Sequence, residues 1–150
     1  MNKTNHSNIL IVGGGCAGIS VATRLHNLKS DLSISIIEPS DQSLYQAAWT
    51  LVGAGAYDKD KTIKPMTEVM PSYVNWIKDH AESFAPESNS VKTSNGEHSY
   101  DYLVVCPGLK INYAGIPGLQ ESIGKNNVCT NEASYTRNSI FHVSYSLFHF

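Results

Sequence analysis

An apolar run, Ile9-Leu10-Ile11-Val12, ends directly in Gly13-Gly14-Gly15-Cys16-Ala17-Gly18, and a helical pattern follows at once. Few arrangements constrain a fold more. The spacing is G-x-G-x-x-G, and its place between a strand and a helix predicts a βαβ unit that cradles a dinucleotide. Gly13 is expected to make the tight turn off the strand. Gly15, without a Cβ, leaves room for a pyrophosphate, and Gly18 lets the helix pack closely on the sheet. Cys16 and Ala17 lie inside the motif and join the candidate contacts; a small residue is wanted there. The helix N-terminus adds free N–H groups and a partial positive charge.

The pattern continues beyond the glycines. Ile19, Val21, Ala22, Leu25 and Leu28 recur at helical spacing. After the polar turn Lys29-Ser30-Asp31, Leu32-Ser33-Ile34-Ser35-Ile36 alternates as a strand does, and Ile37 completes it. Glu38 closes that strand about twenty residues beyond the last glycine, where an acid binds ribose hydroxyls. A carboxylate there suits an unphosphorylated ribose, so FAD or NAD is favoured over NADP. The plainer reading of Glu38 is a solvated acid at a strand end. Pro39 follows and is a candidate contact with it.

The 150 residues suit one domain, and the net charge of −2 and the lack of a basic stripe exclude nucleic acid as an expected partner. Three cysteines at wide spacing form neither a zinc site nor a local dithiol centre. His6, His98, His142 and His149 follow no metal spacing, so no metal is expected. Residues 1–8 are polar and lack the apolar core of a signal peptide. No run reaches membrane-spanning length. A cytoplasmic protein is expected, with any membrane contact peripheral.

The middle of the chain alternates short elements. The first part of Leu44–Tyr57 reads as a short helix with Trp49 packed inward, Gly53 and Gly55 permit a turn or close approach, and Asp58-Lys59-Asp60-Lys61 reads as a charged surface loop. Ile63 to Met70 reads as a short helix around Pro65. Tyr73–Lys78 and Asp79–Pro86 read as strands. Val91-Lys92-Thr93 and Glu97-His98-Ser99-Tyr100 form a hairpin turning at Asn95-Gly96. Tyr102–Cys106 reads as a fully buried strand halted by Pro107-Gly108. The expected fold is α/β: a Rossmann-like FAD-binding βαβ unit with an inserted small antiparallel hairpin. Cys106-Pro107-Gly108 stands where the chain of a two-dinucleotide flavoprotein leaves its flavin domain, and Cys106 is most simply a small buried residue.

The string Tyr45-Gln46-Ala47-Ala48-Trp49-Thr50-Leu51-Val52-Gly53-Ala54-Gly55, with Ile36-Ile37-Glu38-Pro39-Ser40 before it, resembles the sulfide:quinone oxidoreductases. These are a branch of the pyridine-nucleotide-disulfide-oxidoreductase-like flavoproteins. Ala47 departs from the proline usual in that family. Trp76-Ile77-Lys78-Asp79, Tyr100–Val105, Gly115–Leu119 and Gly124–Thr130 extend the likeness to about residue 135. The resemblance implies FAD as cofactor, and sulfide and quinone as partners. It implies cofactor contacts at Gln46, Trp49, Thr50, Cys106, Pro107 and Gly108, with Ala81 near the adenine, and a redox or sulfur-relay cysteine at Cys129. Homo-oligomerisation stays open.

Residues 1–135 are therefore expected to be part of an FAD-binding domain. The family pattern dissolves after Thr136, and 136–150 reads as a β segment or, in preference, as the product of a frameshift or truncation. The chain is then expected to be a fragment that lacks the full active site and the C-terminal membrane-contacting region. Two other readings remain: a different flavin oxidoreductase such as a type II NADH:quinone dehydrogenase, and a non-catalytic truncated FAD-binding module.

Overall fold

The apolar run and the segment around Ile36 become neighbouring parallel strands in the computed structural model, which describes residues 5–110, 112–123, 125 and 128. Cys129 and residues 136–150 lie outside the described residues. The chain divides into two units. One comprises the residues up to Ser43 together with Lys64–Gly108; the other comprises Leu44–Ile63 and the residues from Leu109 onward.

The first unit is built on β1 (His6–Val12), α1 (Cys16–Leu28) and β2 (Ile34–Ile37). The chain leaves it through β3 (Gln42–Leu44) and returns through β4 (Ile63–Pro65), two strands that pair with each other. In between, the second unit carries α2 (Trp49–Gly53). After the return come α3 (Met66–Val69), β5 (Val74–Ile77), β6 (Ala81–Ala85), β7 (Ser90–Thr93) and β8 (Gly96–Val105). A last short helix, α4 (Leu119–Ser122), belongs to the second unit. The six-stranded sheet runs β5-β2-β1-β8-β7-β6. β5, β2, β1 and β8 are parallel, whereas β8, β7 and β6 are antiparallel. This is a Rossmann-like α/β fold with an antiparallel hairpin continuing from its parallel half.

Burial on both faces fixes the register. Ile9, Ile11, Ile34 and Ile36 pack with Ala22 of α1 on one face. Leu10, Val12 and Ile37 pack with Val91 and Tyr100 on the other. Each such aliphatic side chain contributes about 1.5–3 kcal/mol by leaving water. The alternation of β2 comes from a serine that is itself buried. Ser35 hydroxyl lies 2.6 Å from Ser7 Oγ and accepts Asn75 Nδ2 at 3.0 Å, so its burial costs no unpaired polar group.

Several expectations need correction. The helix around Pro65 is instead β4 followed by α3. Proline has no N–H and holds its predecessor extended, so the helix starts after it. Leu28 is 67% exposed at the last turn of α1 rather than in the core. The strand ending at Cys106 is continuous with the hairpin and is not fully buried, with Tyr102 71% and Val105 54% exposed. β7 accompanies β8 only over Gly96–Ser99, which leaves the later residues less covered. The hairpin loop is Ser94-Asn95, because Thr93 already faces Gly96.

Asp79 shapes that loop. Its buried carboxylate accepts the Ser94 hydroxyl, both Asn95 N–H and Nδ2 at 2.9 Å, and the His80 N–H at 2.8 Å. The Ser94 bond is the largest cause holding the carboxyl well below the usual carboxylate range, against the opposing effect of burial. A depressed folded pKa gives stability that is complete above the ordinary carboxylate value of about 3.9. That stability drains as pH falls toward the folded value. Asp79→Asn is therefore expected to lower the Tm at neutral pH and to flatten its decline between pH 5 and pH 2, windows set roughly by those values. A Tm-against-pH series with equal slopes in both proteins would contradict this role.

Candidate functional site

Three backbones converge at Gly13. Its N–H donates to Ile37 carbonyl at 2.9 Å, and its φ of +105° turns the chain sharply off β1. A Cβ there would lie 2.2 Å from the Cys106 carbonyl oxygen and 3.0 Å from Pro107 Cα. The Cys106 N–H in turn donates to Val12 carbonyl at 2.8 Å. Gly18 completes the contact from the helix side, where a Cβ would meet Gly13 carbonyl oxygen at 1.9 Å. Cys106, Pro107 and the glycine loop are thus brought together by close backbone approach.

Gly15 differs from its neighbours. A Cβ on it meets nothing within 4 Å, and its backbone is extended at φ −74° and ψ −169°. It caps α1, whose first intrahelical bond runs from Ile19 N–H to Gly15 carbonyl. The N–H groups of Cys16, Ala17 and Gly18 therefore have no partner within the helix. Gly15, Cys16 and Ala17 are exposed, and the first turn carries no acid to compete for an anion. This open, electropositive mouth on a 13-residue helix fits a pyrophosphate.

Glu38 stands across from the mouth. Its Oε2 accepts the Gly14 N–H at 2.8 Å, and its Oε1 accepts the Ser40 N–H at 2.8 Å. Its own N–H donates to Ile77 carbonyl at 3.0 Å, and its carbonyl accepts the Trp76 indole N–H at 2.8 Å. Each carboxylate oxygen keeps a further lone pair for a vicinal diol. The residues present therefore fit an adenosine ribose and its pyrophosphate. Pro39, half-buried, separates Glu38 from Ser40.

The remaining candidates are placed as follows. Ala81 opens β6 and packs beside Ile77 and Leu103 on the second core cluster. Gly108, exposed, has φ +75°. Gln46 begins a short 3-10 turn, and Trp49 and Thr50 open α2, all in the second unit. The inward positions there are Ala48 and Val52; Trp49 is only half-buried, which corrects the expectation for it. Among the described residues no three His, Cys, Asp or Glu side chains group as a metal would need.

Reading the sequence missed Gly14, Ser40 and Trp76. Gly14 was an unconstrained position of the motif, yet a Cβ there would strike Glu38 Cβ at 2.7 Å and Cγ at 2.8 Å. Trp76 read as part of an alternating strand and of the family resemblance, with no contact to Glu38 assigned to it. A cavity of about 430 Å³ in the same unit is lined by His6, Ser7, Ser35, Asn75 and His98 among others, and reaches Trp76 and Ile77. Ser7, Ser35 and Asn75 are already bonded to one another there.

The cysteines differ in access. Burial pushes the Cys106 thiol pKa up, and its Sγ points at Gly13 carbonyl, 3.7 Å away. Cys16 is exposed. Brief iodoacetamide treatment followed by peptide mapping is expected to label Cys16 well before Cys106; equal labelling would refute this packing. The glycines are expected to separate in the same way. Gly18→Ala must displace Gly13 and should cost at least about 2 kcal/mol, more than the about 1 kcal/mol that alanine gains in a helix. Gly15→Ala should cost under about 1 kcal/mol. Thermal melts of both variants decide this.

Comparison with known proteins supports one lineage. The family described as pyridine nucleotide-disulphide oxidoreductase matches residues 7–142. The chain is 43% identical over 129 residues to the mitochondrial sulfide:quinone oxidoreductase of Dictyostelium discoideum, covering 85% of this chain and 28% of that protein. It superposes on the X-ray structure of the sulfide:quinone oxidoreductase from Aquifex aeolicus with a TM-score of 0.68 and 28% identity, covering 95% of this chain and 31% of that one. A type II NADH:quinone oxidoreductase of Staphylococcus aureus is more distant, 26% identical over 117 residues, covering 75% of this chain and 29% of that protein. The chain thus spans less than a third of the length of these relatives.

Proposed function

The chain belongs to the pyridine nucleotide-disulphide oxidoreductase family, and from that premise we propose that it holds the adenosine and pyrophosphate of FAD. In this reading it serves a flavoprotein that oxidises sulfide to zero-valent sulfur and passes the two electrons to a quinone. The observation that carries the binding role is the 2.8 Å contact from Gly14 N–H to Glu38, which joins the glycine loop to the acidic strand end. Likeness to sulfide:quinone oxidoreductases, stronger than that to the type II NADH enzyme, supports the choice of substrate.

Each residue has a stated task. Gly15 admits the pyrophosphate to the unpaired N–H groups at the start of α1. Glu38 accepts hydrogen bonds from the ribose hydroxyls and repels a phosphate placed there instead. Pro107 is exposed and lies against Gly13, and it is proposed with the exposed Gly108 to border the bound cofactor. When bound, FAD supplies the two-electron acceptor and donor that side chains lack. Cys129 is proposed as a sulfur-relay thiol on the strength of the family resemblance. Among the described residues no helix is long and apolar enough to cross a membrane. Access to a membrane quinone is accordingly proposed to be peripheral.

Titration with FAD is expected to give saturable quenching of flavin fluorescence. Glu38→Gln and Gly15→Ala are each expected to weaken binding at least about tenfold, the scale of a charged hydrogen bond or a blocked approach. Undiminished affinity in both variants would place the cofactor elsewhere. In the flavin-loaded protein, bleaching by sulfide and not by NADH supports the proposed substrate; bleaching by NADH alone assigns the NADH-dehydrogenase reading instead.

A further inference from the structure

Glu38 is held more elaborately than a ribose-binding acid requires, and the holding comes from outside the glycine motif. Pro39 follows it, so the strand cannot continue its ladder with an N–H from that residue. The Glu38 carbonyl would face a half-buried surroundings without a backbone donor. Trp76, opposite Ile36 on β5, supplies one: its indole N–H donates to that carbonyl at 2.8 Å. The neighbouring Ile77 carbonyl accepts the Glu38 N–H at 3.0 Å. β5 therefore grips the Glu38 peptide on both of its polar groups.

The grip sets the direction of the side chain. With the peptide fixed, the carboxylate reaches Gly14 N–H and Ser40 N–H, 2.8 Å each, and comes so near Gly14 that no Cβ fits between them. Each oxygen accepts one of these N–H groups and keeps a further lone pair for a diol. Rotation of the Glu38 peptide would break both contacts together.

We infer that Trp76 is a positioning residue for nucleotide selection: through the Glu38 carbonyl it aims the carboxylate at the ribose hydroxyls. This rests on the proposed cofactor site and adds to it a residue on β5 that acts through the Glu38 backbone. Loss of the indole N–H should weaken recognition of the hydroxyls selectively, while the pyrophosphate end of the site stays intact.

The test compares ADP with 2′-deoxy-ADP, by calorimetry, on the full 150-residue chain freed of flavin. The unaltered protein is expected to prefer ADP roughly tenfold, the scale of a hydrogen bond to a charged group. Trp76→Phe keeps an aromatic ring and removes the donor; it is expected to cut that preference below about threefold, largely by losing ADP affinity. A merely structural role would weaken both nucleotides alike, so an unchanged ratio overturns the proposal. Failure of the unaltered protein to bind either nucleotide overturns the cofactor-site reading itself and is distinguished by needing no variant.

Should Trp76→Phe not fold, the unaltered protein answers through its indole NMR signals. There are two tryptophans, so Trp49→Phe assigns the Trp76 N–H resonance. That resonance is expected to exchange slowly with solvent and to shift with ADP, but markedly less with 2′-deoxy-ADP. A Trp76 resonance that moves equally with both overturns the proposal.

Discussion

The close passage of three backbones at Gly13 is the constraint on which the first unit depends. β1 ends there, α1 turns back over it with Gly18, and the end of β8 crosses it at Cys106. Separations of 2.2 Å and 1.9 Å from where a Cβ would sit exclude any side chain at either glycine. Because the helix can approach this closely, its first turn opens toward the ends of the parallel strands. The same proximity lets Cys106 N–H join β1 at Val12, which ties a residue nearly a hundred positions later to the loop. Sheet order, helix placement and the mouth of the site are consequences of one packing requirement.

A second constraint acts on the acid. Glu38 ends a strand whose four residues are all buried, so its backbone has little freedom. Glu38 itself is only half-buried, because the strand stops before it and Pro39 cannot continue the ladder. The carboxylate then binds backbone N–H groups rather than a basic side chain. That choice preserves a negative charge for neutral hydroxyls while the helix start offers its positive end to phosphates. The site is polar in two opposite senses, which suits the proposed ribose and pyrophosphate.

These particulars explain what could be read directly from the sequence. β1, α1 and β2 were legible because an apolar run, a glycine spacing and a helical period all describe one local structure. Glu38 was legible by its distance from the glycines. Tyr102 and Val105 misled because an apolar run signals β propensity, whereas burial depends on which strands lie alongside, and β7 stops accompanying β8 at Ser99. The Ser94-Asn95 loop misled because Asp79, fifteen residues earlier than Ser94, supplies the hydrogen bonds that a self-sufficient Asn-Gly turn would not need. Gly14 and Trp76 were hidden for the same reason. Their significance lies in contacts with Glu38 across 24 and 38 positions, and no local pattern encodes those.

The two cysteines within the described residues clarify where electron chemistry can reside. Cys106 has a thiol whose pKa is raised by burial, and it points at a backbone carbonyl, so at neutral pH it is protonated and a poor nucleophile. The crossing at Gly13 itself is made by the Cys106 backbone carbonyl. Cys16 is accessible and lies in the first turn of α1, the end proposed to receive the phosphates. Both positions are accounted for by local packing, Cys106 beside Gly13 and Cys16 in the first turn of α1. The glycine loop, Glu38 and β5 are joined through the Gly14 N–H and the Trp76 indole, and the proposed FAD would supply the redox step that this polar scaffold lacks.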